Sequence, residues 1–288
     1  TGDQSRGWGP PFAGGESSYY MSVNRNKRSL TCNFKHEKGV EALQRLLDRA
    51  DVYITNERRA GTREAMGLDY STLSARNPGL VYCSITGFGM TGPYEGRAGY
   101  DIIAQAMSGM MPLTGEVDGP PMRYPSSIAD LATAMYGVSS VLGALLVYER
   151  TGRGQYIDLS LVESQAWWSV IHSAAYFMNG ETPERIGNNH PSIAPYGAFK
   201  AKDGYLIIAC GTEGIWRRFC SVMNLEEMLE DPRYRLNRDR VENRDEVNER
   251  IEEQLADKTV DEVCDLLEGA NIPSGPIYNV PDTLQDKH

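Results

Sequence analysis

Histidine is scarce in this 288-residue chain: His36, His172, His190 and His288 are all there are, none at metal-ligand spacing from another. That excludes a zinc site of the usual kind, and no metal is expected. Cysteine lacks partners. Cys32, Cys83, Cys210, Cys220 and Cys264 are odd in number and dispersed without a CxxC pair. A disulfide framework is excluded, and a reducing compartment fits. Positive charge is in the minority, 29 Lys and Arg against 39 Asp and Glu, for a formal charge of −10. A nucleic-acid groove or a face for an anionic membrane needs the opposite balance, so neither partner is expected. An anion held by a few local cations remains open. The first residues are polar and Gly/Pro-rich, without a leader-like apolar run, so a cytoplasmic protein is expected, or a mitochondrial one in a eukaryote. Residues 1–18 also lack the strand that normally opens a domain, and the N-terminus is expected to be incomplete.

What is present is ordinary globular composition, 41% hydrophobic and 24% charged, with ample material for a core. Helices are predicted over 39–50 and 62–76, each followed by a short apolar strand, 51–55 and 80–86. That alternation predicts an α/β fold with an open, mostly parallel, Rossmann-like sheet. Ligands in such sheets lie beyond the carboxyl ends of the strands, where the loops 56–61 (NERRAG) and 87–99 (GFGMTGPYEGRAG) fall. One long helix is predicted within 123–155, started by Ser126 and Ser127 and stopped by Gly152 and Gly154. Ile128, Leu131, Met135, Val138, Leu142, Leu145 and Leu146 recur at helical spacing, so most of this helix is expected to be core rather than a membrane span. A strand at 156–161 and a helix at 162–178 follow. Behind them come a hairpin around Asp203-Gly204, helices at 212–223, 239–256 and 259–268, and a strand at 277–280. The middle helix is highly charged and expected to be exposed. The domains are placed at 1–185 and 186–288, the second a smaller α+β domain.

Asp130 stands in the first turn of the long helix, where unpaired N–H groups and the dipole favour an ionised carboxylate. Periodicity leaves two readings, a helix-start acid or a carboxylate nucleophile. The basic stretch 24–38, with Lys35 and Lys38, is either a solvated turn or a phosphate contact.

The ordered motifs WGPPF, SVNRNKRS, VYCSITGFGMTGPY, RAGYDIIAQAMSGMM, ADLATAMYG, ERTGRGQYIDLSL and PSIAPYGAF run the length of the chain. With them the sequence resembles the class III CoA-transferases, the family of formyl-CoA and carnitine CoA-transferases. In look it is closest to the succinate–hydroxymethylglutarate CoA-transferase type. The resemblance implies CoA transfer from an acyl-CoA such as succinyl-CoA to a carboxylic, preferably dicarboxylic, acid. It implies that Asp130 is the nucleophile and passes through an aspartyl-CoA thioester. CoA is a substrate here, and no permanently bound cofactor is implied. The implied CoA-binding residues are Lys35, Asn56, Arg58, Arg59, Asp101, Gly87 and Gly89, with the two glycines letting their loop approach the thioester oxyanion. The family's NF-x-PG loop is altered: Glu57 replaces Phe, Ala60 replaces Pro, one residue is extra, and a later arginine falls on Ala65. Asp101 either lies beside the nucleophile, where two carboxylates raise each other's pKa, or merely caps its own helix. His190 either reaches the active site or closes a turn before Pro191. An interlaced homodimer is implied. The alternatives are an α-methylacyl-CoA racemase or epimerase, against which Tyr100 in place of a histidine base argues, and a non-catalytic CoA-binding subunit.

Overall fold

The computed structural model describes residues 2–288 and shows a mixed α/β fold in two compact units. One unit comprises the chain up to Ser108 together with Ser126–Trp168; the other comprises Gly109–Pro125 and Ser169–His288. Composition alone placed the division at 185/186. What assigns 109–125 to the second unit is Arg185, whose guanidinium donates to the carbonyls of Pro112 (2.8 Å), Glu116 (3.2 Å) and Gly119 (2.5 Å). Contacts so distant in sequence leave no local signal.

The first unit is built on a parallel sheet of three strands, β1 (Val52–Thr55), β2 (Val81–Thr86) and β3 (Tyr156–Ser160), with β2 in the middle. Ile54 pairs with Cys83, and Cys83 with Ile157. Residues Val81 to Ser84 are fully buried, as a strand flanked by two others and covered by helices must be. Helix α1 (Glu37–Leu47) precedes β1, and α2 (Ala60–Ala65) and α3 (Tyr70–Arg76) lie between β1 and β2. Between β2 and β3 come α4 (Asp101–Met107) and the 24-residue α5 (Ile128–Thr151). Helix α6 (Leu161–Ala166) follows β3.

Helix α5 ends as its glycines predict, with Gly152 left-handed at φ 68° and its N–H on the Tyr148 carbonyl at 2.7 Å. The expectation that its large apolar row is core is not met. Leu131, Met135, Val138, Leu142 and Leu146 are all more than half exposed. The buried face is the small one: Ala129, Ala132, Thr133, Gly137 and Ala144. Small residues bring the helix axis close to the sheet, and a Cβ at Gly137 would lie 3.5 Å from the Leu159 side chain. By length and mean hydropathy, 1.6, α5 would suffice to cross a membrane, and only 22% of that window is buried in the chain.

The second unit carries α7 (Val170–Asn179) and an antiparallel sheet of β4 (Tyr196–Lys200), β5 (Tyr205–Ala209) and β6 (Ser274–Pro276). The hairpin about Asp203-Gly204 forms as predicted, with Lys200 paired to Tyr205. The last strand lies earlier than predicted, and Val280–Gln285 is helical, capped by Asn279. The charged helix breaks at Asn243 into Asn237–Glu242 and α8 (Arg244–Leu255). Contrary to expectation, one stripe of α8 (Val247, Ile251 and Leu255) is wholly buried, packed with Phe199, Leu206, Trp216, Phe219 and Leu267.

The chain enters β3 through Gly154, whose N–H donates to the Pro78 carbonyl at 2.8 Å. A Cβ there would stand 2.0 Å from the Leu80 carbonyl oxygen, a backbone atom unable to yield. Gly154→Ala is therefore expected to cost about 3 kcal/mol, read from chemical denaturation midpoints.

Candidate active site

Beyond the carboxyl ends of β1 and β2 the first unit opens a cleft of about 580 Å³. Its walls come from the loop after β1 (Asn56, Glu57, Arg58 and Arg59) and the turn after β2 (Ile85, Thr86 and Gly87). Ala98, Gly99, Tyr100, Trp8 and Leu161 complete it, and Asp130 projects into it from the first turn of α5. This is the position expected of a ligand site in a parallel sheet.

The start of α5 is not held by the predicted serine cap. Ser127 makes no side-chain capping bond. Asp101 does that work from 28 residues away: its Oδ1 accepts the Ala129 N–H at 2.9 Å, and its Oδ2 accepts from Gln105 Nε2 at 2.6 Å. Asp101 thus caps the helix that carries Asp130 instead of its own, whose N-cap residue is Tyr100. Both Asp101 oxygens are occupied, and it does not line the cleft.

No described residue hydrogen-bonds the Asp130 carboxylate. Water reaches it, since the residue is exposed, but the cleft walls remove enough hydration to raise its pKa above the ordinary 3.8, and the Asp101 charge adds to the rise. The helix dipole was expected to favour ionisation. Asp101, sitting on the N–H of Ala129, offsets that benefit.

Gly87 is required by a close crossing: a Cβ on it would stand 2.7 Å from the Gly99 Cα. Gly89 adopts φ 85°, and its N–H is spent on Thr86 Oγ1 at 2.9 Å. The next N–H, of Met90, is spent on Asp158 Oδ2 at 2.8 Å. The predicted oxyanion role therefore finds neither of these two donors free. Arg58 Nη1 donates to the Gly96 carbonyl at 2.6 Å, tying the two cleft loops together. Arg59 is exposed, and its guanidinium makes no hydrogen bond or ion pair among the described residues. Lys35 lies in an exposed turn, its N–H on Asn33 Oδ1, and is not part of the cleft wall. His190 closes a turn: its Nδ1 accepts the Ser192 N–H at 3.1 Å, and its N–H donates to the Tyr196 carbonyl.

Sequence reasoning passed over Arg63, which is buried on α2 beneath the cleft loop. Its only signal was one arginine in a charged helical stretch. Trp8 was visible only as part of WGPPF.

A folded-state pKa above the unfolded value means that ionised Asp130 destabilises the native state. The penalty sets in as pH rises past 3.8 and is complete above the folded pKa. Asp130→Asn escapes it. Its melting temperature is expected to exceed that of the wild type near pH 7, with the gap closing toward about pH 4, in melts recorded across that range.

The family described as CoA-transferase family III matches residues 1–288. The chain is 41% identical to a succinyl-CoA:glutarate CoA-transferase of Mus musculus, over 99% of its own length and 65% of the mouse protein. It is 40% identical to a succinate–glutarate CoA-transferase of Agrobacterium fabrum, over 99% of its length and 72% of that protein. The solved structure of a CaiB/BaiF family protein from Brucella suis superposes with a TM-score of 0.85 at 41% identity, covering 99% of this chain and 76% of that one. The chain thus spans about two thirds of the mouse relative's length. Matched end to end in sequence and fold, it belongs to CoA-transferase family III.

Proposed function

We propose that this chain transfers CoA from an acyl-CoA donor to a dicarboxylic acid through a covalent intermediate on Asp130. The observation that carries the reading is an unengaged carboxylate, raised in pKa, projecting into a cleft at the head of a parallel sheet. A carboxylate made more basic is a better nucleophile. The names of the relatives, succinyl-CoA:glutarate and succinate–glutarate CoA-transferase, supply the dicarboxylate class.

The chemistry balances without a redox or proton donor. Asp130 attacks the thioester carbonyl and the C–S bond breaks, giving a mixed anhydride and CoA thiolate. The thiolate attacks the aspartyl carbonyl, the donor acid leaves, and an aspartyl-CoA thioester remains. The acceptor carboxylate displaces the thiolate from that thioester, and the thiolate then takes the acceptor's acyl carbon, freeing Asp130. Arg59, with its guanidinium free, suits the CoA phosphates, whereas Arg58 is committed to the loop. Tyr100 lines the cleft where a racemase needs a second base, and a phenol serves there less well than a histidine.

A homodimer is part of the same reading. The exposed apolar row of α5, and on α7 the exposed Ile171, Phe177 and Met178, suit burial against a second copy rather than water.

Incubation with succinyl-CoA followed by hydroxylamine is expected to yield a hydroxamate at Asp130, read by peptide mass spectrometry. Asp130→Ala is expected to lower CoA exchange at least about 10³-fold with the fold retained; an unlabelled Asp130 or persistent turnover refutes the mechanism. Arg59→Ala is expected to raise KM for acyl-CoA about tenfold and Arg58→Ala by a different factor; equal indifference removes this loop from the CoA site.

A further inference from the structure

Arg63 is a buried cation with no ion pair among the described residues. It is 4% exposed, and the groups its guanidinium donates to, the Glu57 carbonyl, Ser84 and Tyr82, are neutral. Nε donates to the Glu57 carbonyl at 2.5 Å, Nη2 to Ser84 Oγ at 2.9 Å and Nη1 to the Tyr82 hydroxyl at 3.3 Å. The hydroxyl of Tyr82 in turn donates to the Leu68 carbonyl at 2.9 Å, and burial raises its pKa to about 12, so it provides no negative charge. The nearby Glu57 carboxylate is turned away, accepting the Arg59 N–H at 2.9 Å. Burying an uncompensated charge is costly, and a hydrogen-bonding role alone does not require one.

The arrangement links two places. Tyr82 and Ser84 belong to β2, the rigid centre of the sheet, while Glu57 belongs to the cleft loop between Asn56 and Arg59. The guanidinium fork therefore fixes that loop to the sheet from below.

We propose that Arg63 is a positioning residue for the polyanionic part of an acyl-CoA: it holds the loop that presents Asn56 and Arg59, and adds a positive charge beneath it that no carboxylate among the described residues pairs. The inference rests on the cleft being the CoA site.

The test measures the rise in melting temperature that free CoA gives the full chain, together with KM and kcat for succinyl-CoA. The wild type is expected to gain thermal stability from CoA. Arg63→Met is expected to lose most of that gain and to show KM raised about 10- to 100-fold with kcat changed less than about threefold. Arg63→Lys, which keeps the charge but not the fork and preserves the fold if methionine does not, is expected to fall between them. If both variants keep the wild-type CoA shift and KM, whatever their intrinsic melting temperatures, the inference is overturned while the function stands. If the wild type itself gains nothing from CoA, the CoA reading fails and takes this inference with it.

Discussion

The hydrogen bond from the Ala129 N–H to Asp101 Oδ1 is the contact on which the candidate site depends. It fixes where α5 begins, and therefore where Asp130 points. It also brings a second negative charge to the helix start, where one carboxylate alone would be stabilised by the dipole. Two acids at one helix terminus divide the work. Asp101 takes the backbone donor, and Asp130 is left without a partner, less well solvated and more basic.

Around that contact the glycines and arginines act as fasteners. Gly87 and Gly99 cross at backbone contact, and Arg58 ties the loop after β1 to the Gly96 carbonyl; within the second unit, Arg185 clips 109–125 in place. None of these is a salt bridge. Each uses a side chain, or the lack of one, to satisfy or approach backbone, so the geometry is insensitive to ionic strength in a way that surface ion pairs are not.

Much of this was legible in the sequence. The strands 52–55, 81–86 and 156–160 announced themselves as short apolar runs between helices, and Gly152 marked the end of α5. The ordered motifs pointed to the family and to Asp130. What the sequence could not show was orientation and long-range pairing. Leu131 to Leu146 keep helical spacing whether they face a sheet or the outside, and the small residues between them chose the buried face. Asp101 stood open between a place beside Asp130 and a cap of its own helix, because a bond to Ala129, 28 residues on, has no local signature. Arg63 was passed over for the same reason, its partner Ser84 lying 21 residues on.

The sheet register has a consequence for the order in which the molecule assembles. β1 and β2 are joined by a short helical connection, but Tyr82 pairs with Tyr156 only after the whole of α5 has been made. Closing so long a loop delays that pairing entropically. Leu161, a wall of the cleft, follows still later. On a ribosome the first two strands emerge able to pair with each other, while the far edge of β2 waits for β3. The cleft around Asp130 is thus among the last features of its unit to form, and a chain arrested before β3 carries Asp130 without the cleft around it.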